Sequence, residues 1–458
     1  MLRGKSVMNN SHRFKLSLMM FLEFFIWGAW LPLIFGYLPS LGFSALQQSW
    51  ILNAFTIGSF AAMFFSTQFA DRNFAAEKFV AFSQLVGGLA ILGLAFIHAP
   101  DPAASLAAGA APPSAPFVPF FLLMLVHSLF YVPTISITNS IAFAHLKDPR
   151  HEFPRVRLWG TIGWIAASWP FIFVLADWAK IPAMNEVGFV AWIGKVLGTS
   201  KTGAAALAAT RYTFLAAGIA SLVLAALSLT LPHTPPRKAS EGAERFAWLE
   251  AMKLLKVPFV LVLFIATFVD AAVHQCYFIW TNSFLQHVGI KVNWVMPVMS
   301  LGQFAEIGTM AVLGGVIARL GWRKTMVIGI LGHALRFGIF ALVPSGPVVV
   351  ASILLHGICY AFFFATVYIF VDEFFPKDAR SSAQGLFNFL ILGFGPFVAN
   401  FAWPQLGSVF KSGDQVVFSK LFLVPSATAL LAAAFLFVCF RPPEKARPPA
   451  GHGAAPAH

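Results

Sequence analysis

"HTPPRKASEGAERFAWLEAMKLLK", residues 233–256, is the longest polar connection in a chain otherwise built from apolar runs. On both sides of it the sequence breaks into apolar stretches of about 20 residues, the length a helix needs to cross a hydrocarbon core. Six precede it, at 16–38, 46–69, 79–98, 117–144, 154–176 and 211–231. Six follow, at 257–285, 293–317, 325–343, 348–371, 383–403 and 418–440. Runs of this length must pair every backbone group within themselves, which only a helix does, whereas a barrel would show alternating segments of about ten residues. The expected fold is an all-α polytopic membrane protein of twelve helices in two six-helix bundles. The bundles cover 1–232 and 257–440, joined by the central loop 233–256 and followed by a tail, 441–458.

Composition agrees. Only 11% of the 458 residues are charged and 58% are hydrophobic, against roughly 25% charged in a soluble chain. The net charge of +13 does not point to nucleic acid, because the basic residues are sorted between alternate connections. Of 31 Lys and Arg, 22 fall on the side shared by the N-terminus and the central loop and seven on the other, which places both termini and that loop in the cytoplasm. Arg3, Lys5, Arg13 and Lys15 lead into a full-length span without a small-residue cleavage pattern, so the first helix is expected to stay as an anchor. Cys276, Cys359 and Cys439 lie inside spans and leave no disulfide framework. The stretches 98–116 and 441–458, rich in Pro and Ala, have little to bury and are expected to be disordered.

Charged residues inside the spans are the candidates for chemistry. "SLGQFAEIGTM", residues 300–310, places Gln303 and Glu306 on one helix face at i, i+3. Asp270 and Arg336 fall at a similar depth, near the bilayer centre, where a lone charge costs on the order of 2.5–3.5 kcal/mol. Arg336 is expected to form a structural ion pair with Asp270 or Glu306. Glu306 is expected to act: a carboxyl whose cavity opens and closes binds and releases a proton as its hydration changes. Glu23 and Asp270, the latter with His274 at i+4, are the other proton-coupling candidates. His127, His274, His333 and His356 read as packing histidines. No nucleophile–base pair or metal-ligand cluster appears, so no enzyme, metal or cofactor is expected.

Two connections, "FADRNFAAEK" (69–78) and "GGVIARLGWRK" (314–324), resemble the major facilitator signature Gly-x-x-x-Asp-Arg-x-Gly-x-Arg-Lys. The second follows it except at Ala318; the first keeps Asp71 and Arg72 without the glycines. A closer resemblance is carried by "YVPTISITNSIAF" (131–143), "FPRVRLWGTIGW" (153–164), "TLPHTPP" (230–236), "ALRFGIF" (334–340) and "RSSAQGLF" (380–387). Together they resemble the bacterial nucleoside:proton symporter family of the major facilitator superfamily, from "EFFIWGAW" (23–30) to the last helix. The resemblance implies a monomer in the bacterial cytoplasmic membrane that imports nucleosides by alternating access, driven by the proton gradient alone.

A nucleoside offers a flat base and a hydroxylated ribose, so its site needs an aromatic face and several polar partners. Arg157, Thr161 and Trp164 follow i, i+4, i+7 spacing along one helix face and supply such a set. The resemblance adds Gln275, Gln303 and Glu306, and Tyr360 is placed to stack or hydrogen-bond. The chain departs from the family pattern at Phe278, where an amide is expected, and at Ala361, where an acid is expected. Two other readings compete: a superfamily transporter of another solute, a sugar or organic anion, and a non-transporting membrane sensor, although no appended soluble domain to carry a signal is expected. Helix breaks are expected at "LGFGPF" (392–397) and at Pro133.

Overall fold

The computed structural model describes residues 10–65, 73–98, 114–236, 253–375, 377–413 and 415–442. Asp71, Arg72, most of the central loop and nearly all of the tail lie outside the described residues. The first bundle contains α1 (Asn10–Ser40), α2 (Ala45–Phe65), α3 (Ala76–Leu94), α4 (Phe117–His145), α5 (Pro149–Ser168) and α6 (Gly203–Ser228). The second contains α7 (Pro258–His287), α8 (Val292–Leu342), α9 (Gly346–Phe374), α10 (Ala383–Val409) and α11 (Phe418–Cys439). Among the described residues, nine helices are long and apolar enough to cross a membrane, and α2 and α5 carry the second and fifth expected spans beside them. Each of the twelve expected spans overlaps a helix.

Two spans share α8, whose 51 residues would measure about 75 Å if straight, far more than a bilayer. The helix breaks at Gly321, where φ is 73° and ψ is 170°. A side chain tolerates that conformation poorly. This is the glycine of the "GGVIARLGWRK" run, so the one signature position that must turn the chain is retained.

Within the first bundle α1 packs on α5 and α6, α2 on α4, and α3 on α4 and α6; within the second, α8 packs on α9 and α11, and α7 on α10 and α11. The "RLWGTIGW" run explains the tightest of these contacts. A Cβ on Gly163 would fall on the backbone oxygen of Phe21, and one on Gly160 would come within 2.6 Å of an Arg157 amine and 2.7 Å of the Phe24 ring. The missing side chains let α5 lie against α1 and lay the Arg157 guanidinium 3.9 Å above the Phe24 ring.

The halves meet where α1 touches α7, α2 touches α10, and α5 touches α8. A short surface helix, Phe189–Gly198, adds a strap between them. Its terminal carbonyls, which no helical N–H reaches, accept from the start of the second half: Trp294 Nε1 donates to Leu197 O at 2.8 Å and Lys291 Nζ donates to Gly198 O. At the opposite face the "TLPHTPP" run is tied down. His233 Nδ1 and the Thr234 N–H both donate to Glu77, at 2.8 and 2.9 Å.

Gly163→Val is expected to destabilise the protein by about 1–3 kcal/mol, the usual range for overpacking, seen as a lower Tm in detergent. Gly315→Ala, at a glycine with nothing within 4 Å, should leave Tm unchanged. Equal effects would show that the α1–α5 approach is not close.

Candidate functional site

Between the two halves lies a cavity lined by Trp164 and Ser168 of α5, Tyr277 and Phe278 of α7, and Met299 and Gln303 of α8. Its 10 Å³ is about the room one water requires. Gln303 is buried, and its Oε1 has no hydrogen-bond partner. A buried polar atom without a partner is rare enough to need a reason, and here it borders the cavity. Trp164 stands edge-on to Trp27 at 5.3 Å, and Trp27 stacks on Phe55 at 4.9 Å. Trp27 belongs to the "EFFIWGAW" run but was not among the expected site residues; its pairing with Trp164 depends on how α1 and α5 are rotated against each other.

Arg157, Glu306 and Tyr360 come together from both halves. The Arg157 guanidinium rests on Phe24 and its Nε is buried without a partner. Glu306 is half-buried, and its carboxylate makes no hydrogen bond or ion pair among the described residues. The two charges nevertheless act on each other and on the Tyr360 hydroxyl. The arrangement is a guanidinium and a carboxyl on facing elements, separated by more than ion-pair distance. Thr161 is half-buried one turn along α5 from Arg157.

Gln275 is engaged elsewhere. Its Nε2 donates to Asn400 Oδ1 at 2.9 Å, and Asn400 Nδ2 donates to Asn53 Oδ1 at 3.1 Å, a chain of amides running from α7 through α10 to α2. The departures from the family pattern also take definite places. Phe278 lines the cavity, and Ala361 is buried in a π-helical stretch, Tyr360–Ala365. A second π stretch, Phe389–Phe394, adjoins the expected break at "LGFGPF"; such turns recur at functional positions. Pro133 sits inside continuous α4.

Apart from Glu77 at the start of α3, the remaining buried charges lie in one cluster in each half. Glu23 is fully buried, its carboxylate accepting from Thr134 Oγ1 at 2.7 Å and Gln84 Nε2 at 3.0 Å, while Tyr131 donates to its backbone oxygen at 2.5 Å. His127 donates from Nδ1 to Gly87 O at 3.0 Å, as a packing histidine would.

In the second half the expected ion pair of Arg336 with Asp270 or Glu306 is not formed. His333, one turn before Arg336 on α8, reaches the carboxylate instead, with Nδ1 3.0 Å from Asp270 Oδ1. Arg336 Nη1 donates to His356 Nδ1 at 3.1 Å, and the guanidinium lies 4.2 Å above the Tyr277 ring. His274 Nδ1 is 3.1 Å from His333 Nε2. Three histidines expected to pack independently thus belong to one polar cluster.

A second cavity of about 370 Å³ opens near the C-terminal end of α1, among Tyr37, Lys201, Thr210, Asn282, Gln286 and Lys291. That volume is within the range of small-molecule sites.

The family described as "Nucleoside H+ symporter" matches residues 10–191 and 174–445. The chain is 33% identical to "Putative nucleoside transporter YegT" of Escherichia coli (strain K12), over 83% of this chain and 81% of that protein. It is 25% identical to "Xanthosine permease" of the same organism, over 94% and 97% of the two chains. In three dimensions it is similar to the crystal structure of nucleoside transporter NupG, with a TM-score of 0.74 at 22% identity, covering 94% of this chain and 99% of that one. A D-xylose-proton symporter shares the fold at a TM-score of 0.65 and 14% identity, over 95% and 99% of the chains. The fold is that of the major facilitator superfamily.

Asn400→Leu should strand the Gln275 amide, while Asn53 Oδ1 keeps the Thr56 hydroxyl at 3.0 Å, and should lower stability by about 1–3 kcal/mol. Adding Gln275→Leu should restore part of the loss, because an unpaired buried amide costs more than its removal. A double-mutant cycle measured by unfolding in detergent would reject the amide chain if the two effects simply add.

Proposed function

The chain belongs to the nucleoside H+ symporter family and is a proton-coupled nucleoside importer; on that premise we propose how its residues do the work. The observation that carries the reading is the unpartnered Gln303 amide beside the Trp164 ring, in a cavity that both halves line. The base stacks on Trp164, with Trp27 behind it, and takes hydrogen bonds from Gln303. Arg157, Thr161 and Tyr360 hold hydroxyls of the ribose, and Glu306 stands across from Arg157. Gln275 joins the site when its bond to Asn400 opens. Opening and closing exchange contacts between a bundle over 1–232 and one over 257–440.

Glu306 is the carboxyl that exchanges the driving proton, since its carboxylate has no hydrogen-bond or ion-pair partner among the described residues and faces the substrate. Glu23 and Asp270 are the other buried carboxyls available for coupling. The proton gradient is the energy source and no cofactor is required. The protein acts as a monomer in the bacterial cytoplasmic membrane, with both termini and the 233–256 loop inside, as the basic asymmetry favours. Phe278 and Ala361 replace two polar partners of the family pattern, which supports an altered base preference or a weaker affinity rather than a different class of solute.

Uptake of labelled uridine and adenosine into vesicles, with and without an imposed proton gradient, tests the reading: gradient-dependent accumulation of either is expected. Entry of a sugar or organic anion in their place would leave the fold assignment standing and remove the substrate assignment. Glu306→Gln should abolish accumulation while weakening binding less than Glu306→Ala, because the amide keeps hydrogen-bonding capacity without a titrating group; normal accumulation by the Gln variant would shift coupling to Glu23 or Asp270. Trp164→Ala should lose a stacking contact of roughly 1–3 kcal/mol, about 5- to 160-fold in Kd, read by direct binding to the purified protein. Reporter fusions at both termini and in the central loop should all report the cytoplasm.

A further inference from the structure

The cluster in the second half has a hydrogen-bond logic that its donors and acceptors determine. Arginine can only donate, so His356 Nδ1, which receives Arg336 Nη1 at 3.1 Å, carries no proton, and His356 is the neutral Nε2–H form. An ionised Asp270 can only accept, so His333 donates to it from Nδ1 at 3.0 Å. In neutral His333 this leaves Nε2 as an acceptor, filled by His274 Nδ1–H at 3.1 Å. The line ends at His274 Nε2, which makes no hydrogen bond among the described residues.

We propose that Asp270, His333 and His274 form a proton relay separate from Glu306, entered at His274 Nε2, with Arg336 and His356 as its positioning residues. The proposal rests on the reading of the protein as a proton-coupled transporter. An N–H bond forms at His274 Nε2 as a proton arrives. The His274 Nδ1–H bond breaks and its proton passes to His333 Nε2; the His333 Nδ1–H bond breaks and its proton passes to Asp270 Oδ1. One proton has entered, both imidazoles are neutral again in their other tautomers, and Asp270 is a neutral acid. The same contacts serve afterwards with every donor and acceptor reversed, so no side chain has to move.

Charge makes the relay reversible. Arg336 is fully buried, always charged, and leaves Nε and Nη2 without partners, while Asp270 Oδ2 is likewise unpaired. With Asp270 ionised the cluster is neutral overall; with the relay loaded, Arg336 has no counter-charge, which favours release. The other titratable groups around it are Cys276 and Tyr277 of α7 and Cys359 of α9; α10 contributes none, and α11 only Lys420 and Cys439 near its ends.

The connection to the substrate is short. Tyr277 and Phe278, one turn beyond His274, line the central cavity. Tyr277 lies under Arg336 and 4.9 Å from the His356 ring, and Phe278 lies 5.4 Å from the His274 ring. A solute that displaces these two rings changes the surroundings of the relay's entrance.

His333→Gln keeps an amide that can donate to Asp270 but cannot pass a proton on. In vesicles holding the full chain, gradient-driven accumulation of labelled uridine should fall about tenfold, within the usual range of coupling energies, while exchange at equal pH stays close to wild type. Accumulation at the wild-type level would overturn the relay. A second measurement does not depend on the variant folding or on uridine being a substrate: nitrogen NMR of the wild-type protein with labelled histidine, in bilayers, between about pH 5 and 9. One side chain, His356, should remain Nε2–H throughout, and His274 and His333 should exchange tautomers together. Spectra in which the latter two do not change would equally overturn the proposal. If wild type accumulates no nucleoside yet the two tautomers switch, the substrate reading fails and the relay stands.

Discussion

Every polar group in this protein must find its partner inside the protein, because the bilayer core offers no water to hydrogen-bond it. The rest of the structure follows from how that requirement is met. Backbone groups meet it by forming helices. Side chains meet it unevenly. Glu23 is bound by hydroxyl and amide donors from two other helices, α3 and α4, so it braces the first half. Gln303, Arg157 and Arg336 keep buried nitrogens or oxygens without partners. Such atoms cost on the order of 1–3 kcal/mol each, more when charged, so each calls for a bond from water, a ligand or a change of state.

Close approach between helices is the second half of the same constraint. Lipid tails are as apolar as leucine, so burial alone gives little drive for helices to associate within the membrane, and van der Waals contact between small residues must do so. Gly160 and Gly163 provide it between α1 and α5, and in doing so they decide where Arg157 and Trp164 stand. The run that carried the family resemblance is therefore a packing device that also sets two side chains: a substitution at either glycine would displace Arg157 and Trp164.

The spans were legible because apolar length is a one-dimensional property, whereas most of the 233–256 connection lies outside the described residues. The candidate site follows periodicity along single helices, with Arg157 and Trp164 on one face of α5 and Gln303 and Glu306 on one face of α8, two helices that touch across the halves. Partner choice does not follow periodicity. Whether Arg336 meets Asp270, Glu306 or a histidine depends on the rotation and tilt of α7, α8 and α9 relative to one another, which spacing along a single helix does not set. The i, i+4 pair of Asp270 and His274 illustrates the point, since His333 from another helix stands between them. Trp27 was missed for the same reason.

The interface between the halves shows why these choices suit a transporter. It is held by the amide chain of Gln275, Asn400 and Asn53, by the strap from Trp294 and Lys291 to the end of the surface helix, and by aromatic contacts such as Phe60 on Phe389 at 5.4 Å. A net hydrogen bond contributes only about 0.5–1.5 kcal/mol, so each can be exchanged for another, or for water, as the halves rock. A continuous apolar seam of the same extent would have to be re-exposed as a whole. An interface of exchangeable bonds keeps both arrangements within reach of the few kcal/mol that a bound solute and a proton can supply.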